Sequence, residues 1–481
     1  MKRTLLIHTL WIAMGIFTSA NAAYKQQPDE VVVTAAPSDY LLQPTQVMNG
    51  GELLLKAAPT LGETLANEPG ISSSYFGPAS SRPIIRGLSG SRVSMLSNSS
   101  STLDVSDVSP DHATTVESLL AEQIEIIRGP ATLLFGSSAA GGIVNVTDGR
   151  IPQQPAEKSI SGALEVRGDT AADEQTFVGR LDGGTENFAW HVSAINRETE
   201  NIDIPGFATA DPAERSDDEV SGTLVNSYSE TDGFNLGVSW VGSRGYLGAS
   251  VSELNSLYGL PGPEEEEEGE EEPILYEGPF LDLNQTRFDV RGELQFDDKT
   301  LESLKFVLGA NDYEHKEIEP SGEVATTFVN DQWQARLEAQ HASIVGFNGT
   351  FGFQVDHREL EAFGEEAFIM PTETDALGLF IFEERDADWG TLQFGARVES
   401  LEHENSDYVD YDDEAFSVSA GVILPVAFNN ELTLNLSRTE RNPNAEELYS
   451  NGAHIATRQF EIGLPHKNVF FILPLLEAVQ K

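Results

Sequence analysis

The stretch AEQIEIIRGPATLLFGSSAAGGIVNV, Ala121 to Val146, decides the fold when read with PIIRGLSGSRVSML, Pro83 to Leu96. Both runs pair short apolar, strand-like pieces with Arg-Gly or Gly-Gly steps. Gly87, Gly90, Gly129, Gly136, Gly141 and Gly142 supply positive φ or close backbone approach, which a small insert threaded by tight turns requires. Toward the N-terminus, Lys2 and Arg3 precede an apolar run from Leu5 to Phe17, and Ala20-Asn21-Ala22 offers the small residues of a signal-peptidase site. That run is short of the ~20 apolar residues of a spanning helix. Residues 1–22 therefore read as a signal peptide cleaved after Ala22. No later stretch is apolar for long enough to form a transmembrane helix, so any membrane crossing uses strands.

Toward the C-terminus, from about Ile160, the periodicity changes to two. Ile160, Gly162, Leu164 and Val166 alternate with Ser161, Ala163, Glu165 and Arg167, and Leu236, Val238 and Trp240 flank Gly237 and Ser239. The pattern returns at Leu304, Phe306 and Leu308, at Phe351, Phe353 and Val355, and at Leu392, Phe394, Ala396 and Val398. Such alternation over about ten residues directs one set of side chains to lipid and the other to a polar lumen. A soluble β-sandwich alternates in the same way. Only closed barrels, however, satisfy every backbone group of a sheet within a bilayer, and the exported N-terminus favours the membrane.

Composition narrows the function classes. With 29 basic and 78 acidic residues the formal charge is -49, which excludes electrostatic binding of nucleic acid and suits cations. No cysteine is present, so disulfides, thiolate metal sites and thiol nucleophiles are absent. No H-E-x-x-H pair, G-x-S-x-G elbow or Walker loop occurs, so an enzyme is disfavoured.

The two glycine-punctuated runs, in this order and followed by alternating strands, resemble the plug domain of TonB-dependent outer-membrane receptors. The resemblance implies a mainly β fold: a transmembrane antiparallel β-barrel, partial in this chain, with an N-terminal α+β plug domain in its lumen. It divides the chain into a signal peptide (1–22), an N-terminal extension with a TonB box (23–40), the plug (41–152), a partial barrel (153–463) and an aberrant tail (464–481). The roughly 330 residues after Arg150, at roughly 22 per strand with its connection, give about 15 strands against the roughly 22 of plugged transporters. The family-like RNPNAEELYSNGAHIATRQFEIG, Arg441 to Gly463, gives way to LPHKNVFFILPLLEAVQK, so a truncated or frameshifted barrel is expected.

Asp29-Glu30-Val31-Val32-Val33-Thr34-Ala35 resembles a TonB box. An extended segment of this kind adds as a strand to a periplasmic partner, and the resemblance names that partner as TonB, energised from the inner membrane. The context LDVSDVSPDHATTVESLLAEQIEI, Leu103 to Ile126, looks like the zinc-receptor branch of the family, which implies that Asp111 and His112 are metal ligands at the plug apex. Zinc accepts imidazole nitrogen and carboxylate oxygen and needs further partners from the barrel. The plainer reading makes Asp111 the cap of a helix over residues 113–123.

Nine histidines limit the partners. His454, in GAHIAT, and Glu365 and Glu366, in GEEAFIMPTET, occupy loop-like segments able to face the plug. His191 falls on the polar parity of its strand, and His341 and His357 fall on the apolar parity. His315 and His403 read as members of the acidic loops NDYEHKE and LEHEN and rank as weaker candidates. Glu264, Glu265, Glu266, Glu267, Glu268, Glu270, Glu271 and Glu272 form an acidic loop, solvated by mutual repulsion or acting as a cation trap; it lacks the histidines common in zinc-branch loops.

The expected function is TonB-dependent uptake of a divalent metal, zinc first, across the outer membrane of a Gram-negative bacterium. Its partners would be TonB, outer-membrane lipid and the extracellular metal ion or complex, with no nucleic acid and no permanently bound cofactor. The alternatives are a ferric siderophore, haem or cobalamin receptor, or a non-transporting surface adhesin or phage receptor.

Overall fold

The computed structural model describes residues 46–480 except 214, 216–218, 263–277, 299, 365–366, 427–429, 455–458, 465–467 and 473–476. Within the plug, a mixed five-stranded sheet runs in the order Gln46–Asn49, Gln123–Ile127, Gly142–Thr147, Val93–Ser97, Ser100–Ser101. Only the central pairing of Val93–Ser97 with Gly142–Thr147 is parallel. The short helices Gly50–Lys56 and Leu61–Leu65 pack on it, the second started by Thr60, whose side chain accepts a hydrogen bond from the Glu63 N–H. Leu61, Leu65, Ile85, Ile124 and Val144 form the centre of the core. The two glycine-rich runs form the inner strands and their turns. Gly129 sits at φ 80°, and a Cβ on Gly141 would lie 3.0 Å from both Leu88 and Val93.

The expected helix over 113–123 is absent. Among the described residues that span holds one 3₁₀ turn, Ser118–Leu120, capped by Glu117 rather than Asp111. Ala113 to Val116 instead run on without helical hydrogen bonds, because Asp104 captures the Thr115 N–H at 2.9 Å.

The second part is a 15-stranded antiparallel sheet. It meanders from Ile160–Asp169 to Asn430–Arg441, on which both Asn468–Ile472 and Glu477–Gln480 pair. One end carries tight turns. Ile344 pairs with Phe347 across Val345 and Gly346, both at positive φ, the twist a two-residue hairpin needs. The opposite end carries the long connections 200–228 and 260–279.

Alternation holds along these strands as expected. Leu236, Val238 and Trp240, and Leu377, Leu379 and Ile381, face outward and exposed. Ser193, Asn235, Gln285, Arg336 and Arg397 face inward and are buried. An apolar belt of this extent suits lipid.

The plug is seated on the inner face of the sheet. The 3₁₀ turn Pro130–Leu134 lies against Gly395 and Gly421; a Cβ on Gly395 would stand 2.5 Å from the Pro130 carbonyl oxygen. Arg336 lies between the rings of Phe135 and Phe380 at 4.6 and 4.2 Å. Near the plug's end, Arg150 bonds Asp148 at 2.8 Å and reaches Ser252 and Asp289 of the sheet at 3.0 and 3.4 Å.

Candidate metal centre

The site is built on the plug loop after Ser101. Arg82 fixes this loop by donating to the carbonyls of Ser106 and Ser109. Asp104 ties it again, accepting from the Ser106 hydroxyl at 2.7 Å and the Thr115 N–H at 2.9 Å. On the sheet side, the Tyr258 hydroxyl donates to the Asp111 carbonyl and accepts from the Ala113 N–H, each at 2.9 Å. Residues 111–113 are thereby clamped from both flanks. Burial pushes the Tyr258 pKa well above the usual phenol value, so it acts as a neutral donor.

The clamp aims His112 at the strand Leu301–Ile318. His112 Nδ1 lies 3.1 Å from the Val105 carbonyl, which accepts a proton only, and Nε2 lies 3.2 Å from Glu317 Oε1. The carbonyl therefore keeps a proton on Nδ1, so Nε2 is the nitrogen that either carries the exchangeable proton, donated to Glu317, or loses it and offers its lone pair to an ion. His315 is two residues before Glu317 on the same inward face. Its Nδ1 is 2.9 Å from the Tyr313 hydroxyl, and its Nε2 is 4.0 Å from Glu317 Oε1. One ligand atom from each of His112, His315 and Glu317 lies within 4.8 Å of the others. Two imidazole nitrogens and one carboxylate oxygen are a borderline-metal donor set.

The surroundings are apolar and closed. His112 and His315 are both fully buried. Phe328 stacks on His315 at 4.6 Å and meets His112 edge-on at 5.0 Å. The group lies beyond the lipid belt: the outward face of its strand carries Leu304, Phe306 and Leu308, then Asp312, Glu314 and Lys316 alongside His315 and Glu317.

Three charges compete here. Burial opposes protonation of His112, but the Asp111 charge and the Glu317 hydrogen bond more than offset it and raise its pKa. Burial and the neighbouring His112 push His315 down to about 4. Burial works against the Glu317 charge, yet the two imidazoles hold it well below the usual carboxylate range.

Of the residues singled out in the sequence, His112 joins this group. Asp111 is adjacent: one of its carboxylate oxygens accepts from the Ser109 hydroxyl, and its charge acts on both His112 and His315. His454 closes the short strand Asn451–His454, and its side chain lies outside the described residues. Glu365, Glu366, the segment Asp29 to Ala35 and the glutamates Glu264 to Glu272 also lie outside them.

The strand places two residues the sequence reading ranked low or passed over. NDYEHKE is strand, not loop, and Asn311, Tyr313, His315 and Glu317 share the parity opposite to Leu304, Phe306 and Leu308. Extending that alternation nine residues further would have placed His315 and Glu317 in the lumen. His403, the other histidine of an acidic stretch, is also in a strand, bonded to Thr374 at 2.7 Å and the Pro443 carbonyl at 3.1 Å. His191 faces inward as expected, 2.7 Å from Asp182, and His357 faces outward over Trp333.

Residues 39–143 match the family model described as TonB-dependent Receptor Plug Domain, and residues 206–469 match TonB dependent receptor-like, beta-barrel. A vitamin B12 transporter of Photobacterium profundum is 29% identical over 273 residues, which cover 54% of this chain and 42% of that protein. Among solved structures, a copper transporter, OprC, superposes with a TM-score of 0.67 at 15% identity, over 82% of this chain and 62% of that one. The FrpB iron transporter of Neisseria meningitidis gives 0.67 at 12% identity, over 84% and 66%. The chain thus spans less than two thirds of each.

Proposed function

The chain belongs to the TonB-dependent receptor family, a family of receptors and transporters rather than enzymes, and from that premise we propose that it takes up a divalent metal, zinc first, across an outer membrane. The observation that carries the cargo is the buried meeting of His112, His315 and Glu317 where plug loop and barrel strand touch. A neutral imidazole is a poor ligand for calcium or magnesium, so the donor set favours a borderline metal. Its placement also couples cargo to motion. Two ligands belong to the sheet and one to the plug, so displacing the plug separates the donors and releases the ion.

In this reading Asp29 to Ala35 pair as a strand with TonB, whose pull supplies the displacement. The signal-like residues 1–22 direct export, and the belt of outward apolar side chains meets outer-membrane lipid.

A second reading, uptake of a metal chelate, is favoured by one observation. A polar cavity with about 1290 Å³ of empty space, part of it open to solvent, lies between plug and sheet and is lined by Arg82, Arg358 and Arg441 among others. Growth on limiting zinc and zinc-65 uptake, in strains with and without TonB, test the proposal. TonB-dependent uptake of the free ion is expected. Uptake only with an added chelator selects the second reading, and TonB-independent uptake rejects both.

A further inference from the structure

The short helix Ala445–Tyr449 is held by a capping box, in which Asn444 accepts from the Glu447 N–H and Glu447 bonds back to the Asn444 N–H. This box turns the neighbouring Glu446 inward. Glu446 is only 7% exposed, yet neither of its carboxylate oxygens has a hydrogen-bond partner among the described residues. Its ion-pair partner, Arg358 Nη1, stands 3.7 Å away, too far for a hydrogen bond. Arg358 donates its Nε to Asn330 at 2.6 Å, and its Nη2 has no partner among the described residues. A carboxylate buried in this state is under-compensated.

From the plug, the charge of Asp107 acts on Glu446. Asp107 lies on the loop that carries His112, is exposed, and with Arg358 lines the polar cavity. Burial and then the Asp107 charge push the Glu446 pKa up to about 7; Arg358 acts the other way, and Glu447 adds to the rise. Two carboxylates whose charges repel, with one poorly placed guanidinium beside Glu446, hold either a shared proton or a cation. The cavity, lined by Asp107 and Arg358, gives a cation hydrated access to Asp107 and to the guanidinium beside Glu446.

The geometry points to Asp107 and Glu446 as a second divalent-cation site, a station beside the polar cavity that Asp107 lines. Its role as a station rests on the uptake reading above; its existence does not. An all-oxygen pair completed by water holds zinc more weakly than two imidazoles and a carboxylate, so an ion leaving the centre has a nearby, looser stop. Binding displaces the Glu446 proton: the carboxylic acid and the divalent ion give the metal carboxylate and one proton, which leaves through the cavity.

Titration calorimetry with zinc alone, on the purified full chain in detergent at pH 7 in two buffers of different ionisation enthalpy, tests this. The wild type is expected to bind two ions, the weaker one releasing a proton. Glu446→Gln and Asp107→Asn should each lose the weaker ion and keep the affinity of the tighter one within twofold. His112→Ala should do the reverse. Because Asp107 is exposed, Asp107→Asn gives the answer even if Glu446→Gln fails to fold. A single ion in the wild type, or two in Asp107→Asn, would mean a shared proton only and overturn the site. Loss of neither ion in His112→Ala would instead remove the centre and leave this site standing.

Discussion

At the scale of single residues, the tautomer of His112 is the decisive detail. A backbone carbonyl cannot donate, so Val105 commits Nδ1 to carrying the proton and leaves Nε2 for the ion. His112→Ala should weaken zinc binding at least tenfold, about 1.4 kcal/mol, with little change in metal-free melting. The pH dependence has a definite sign. Zinc must displace the proton of His112, and because that pKa is raised, competition sets in above the ordinary imidazole value of about 6.5. The wild-type advantage over His112→Ala should therefore shrink as pH falls through that raised value. His315, pushed down to about 4, stays neutral over the same window, so the advantage of the wild type over His315→Gln should stay constant down to about pH 5. Calorimetry from pH 5 to 8 checks both. An advantage over His112→Ala that grows on acidification would contradict the assigned proton.

At the scale of elements, the plug is keyed to the sheet by shape and by charge. Gly395 and Gly421 leave room for Pro130, and no larger residue fits at Gly395 without displacing the turn. Asp289 sits buried between Arg287, bonded at 2.8 Å, and Arg150 of the plug. Removing one member of a buried ion network strands the others, at a cost of about 3–5 kcal/mol. Asp289→Ala should thus lower the unfolding free energy by that order and open the plug to limited proteolysis, while Asp289→Asn, which keeps a hydrogen-bond acceptor, should cost less. Unchanged melting and cleavage in Asp289→Ala would show that the network does not hold the plug.

At the scale of the whole molecule, two long-range effects remain. On the proposed reading Val31 to Thr34 pair with TonB, and Val32→Pro would remove a ladder donor and the extended pairing. Uptake should be abolished with zinc affinity intact, and unchanged uptake would reject the assignment. The formal charge of -49 draws cations to the surface, and eight glutamates of the 264–272 stretch concentrate that charge. Replacing Glu264 to Glu272 with a Gly/Ser linker should slow zinc capture at low ionic strength and leave it unchanged near 0.15 M salt, where the screening length falls to about 8 Å. Stopped-flow capture rates decide this, and equal rates at low salt leave the loop as solvated chain only.

The sequence by itself determined the architecture, because its signals are local. Glycines at forced turns marked the plug, and a period of two sorted Leu304, Phe306 and Leu308 from Asn311, Tyr313 and His315 on one strand. Local signals also misled: Asp111 beside Ala113 to Gln123 looked like a capped helix until Asp104 took the Thr115 N–H. The candidate metal centre was only half legible. His112 stood out, but its partner Glu317 is 205 residues away, and parity says which side of a strand a residue faces without saying which plug loop it meets. That meeting depends on strand register, on the Pro130 turn seating against Gly395, and on Tyr258 clamping residues 111–113. Those are contacts between segments far apart in the chain, and only the packed tertiary structure fixes them.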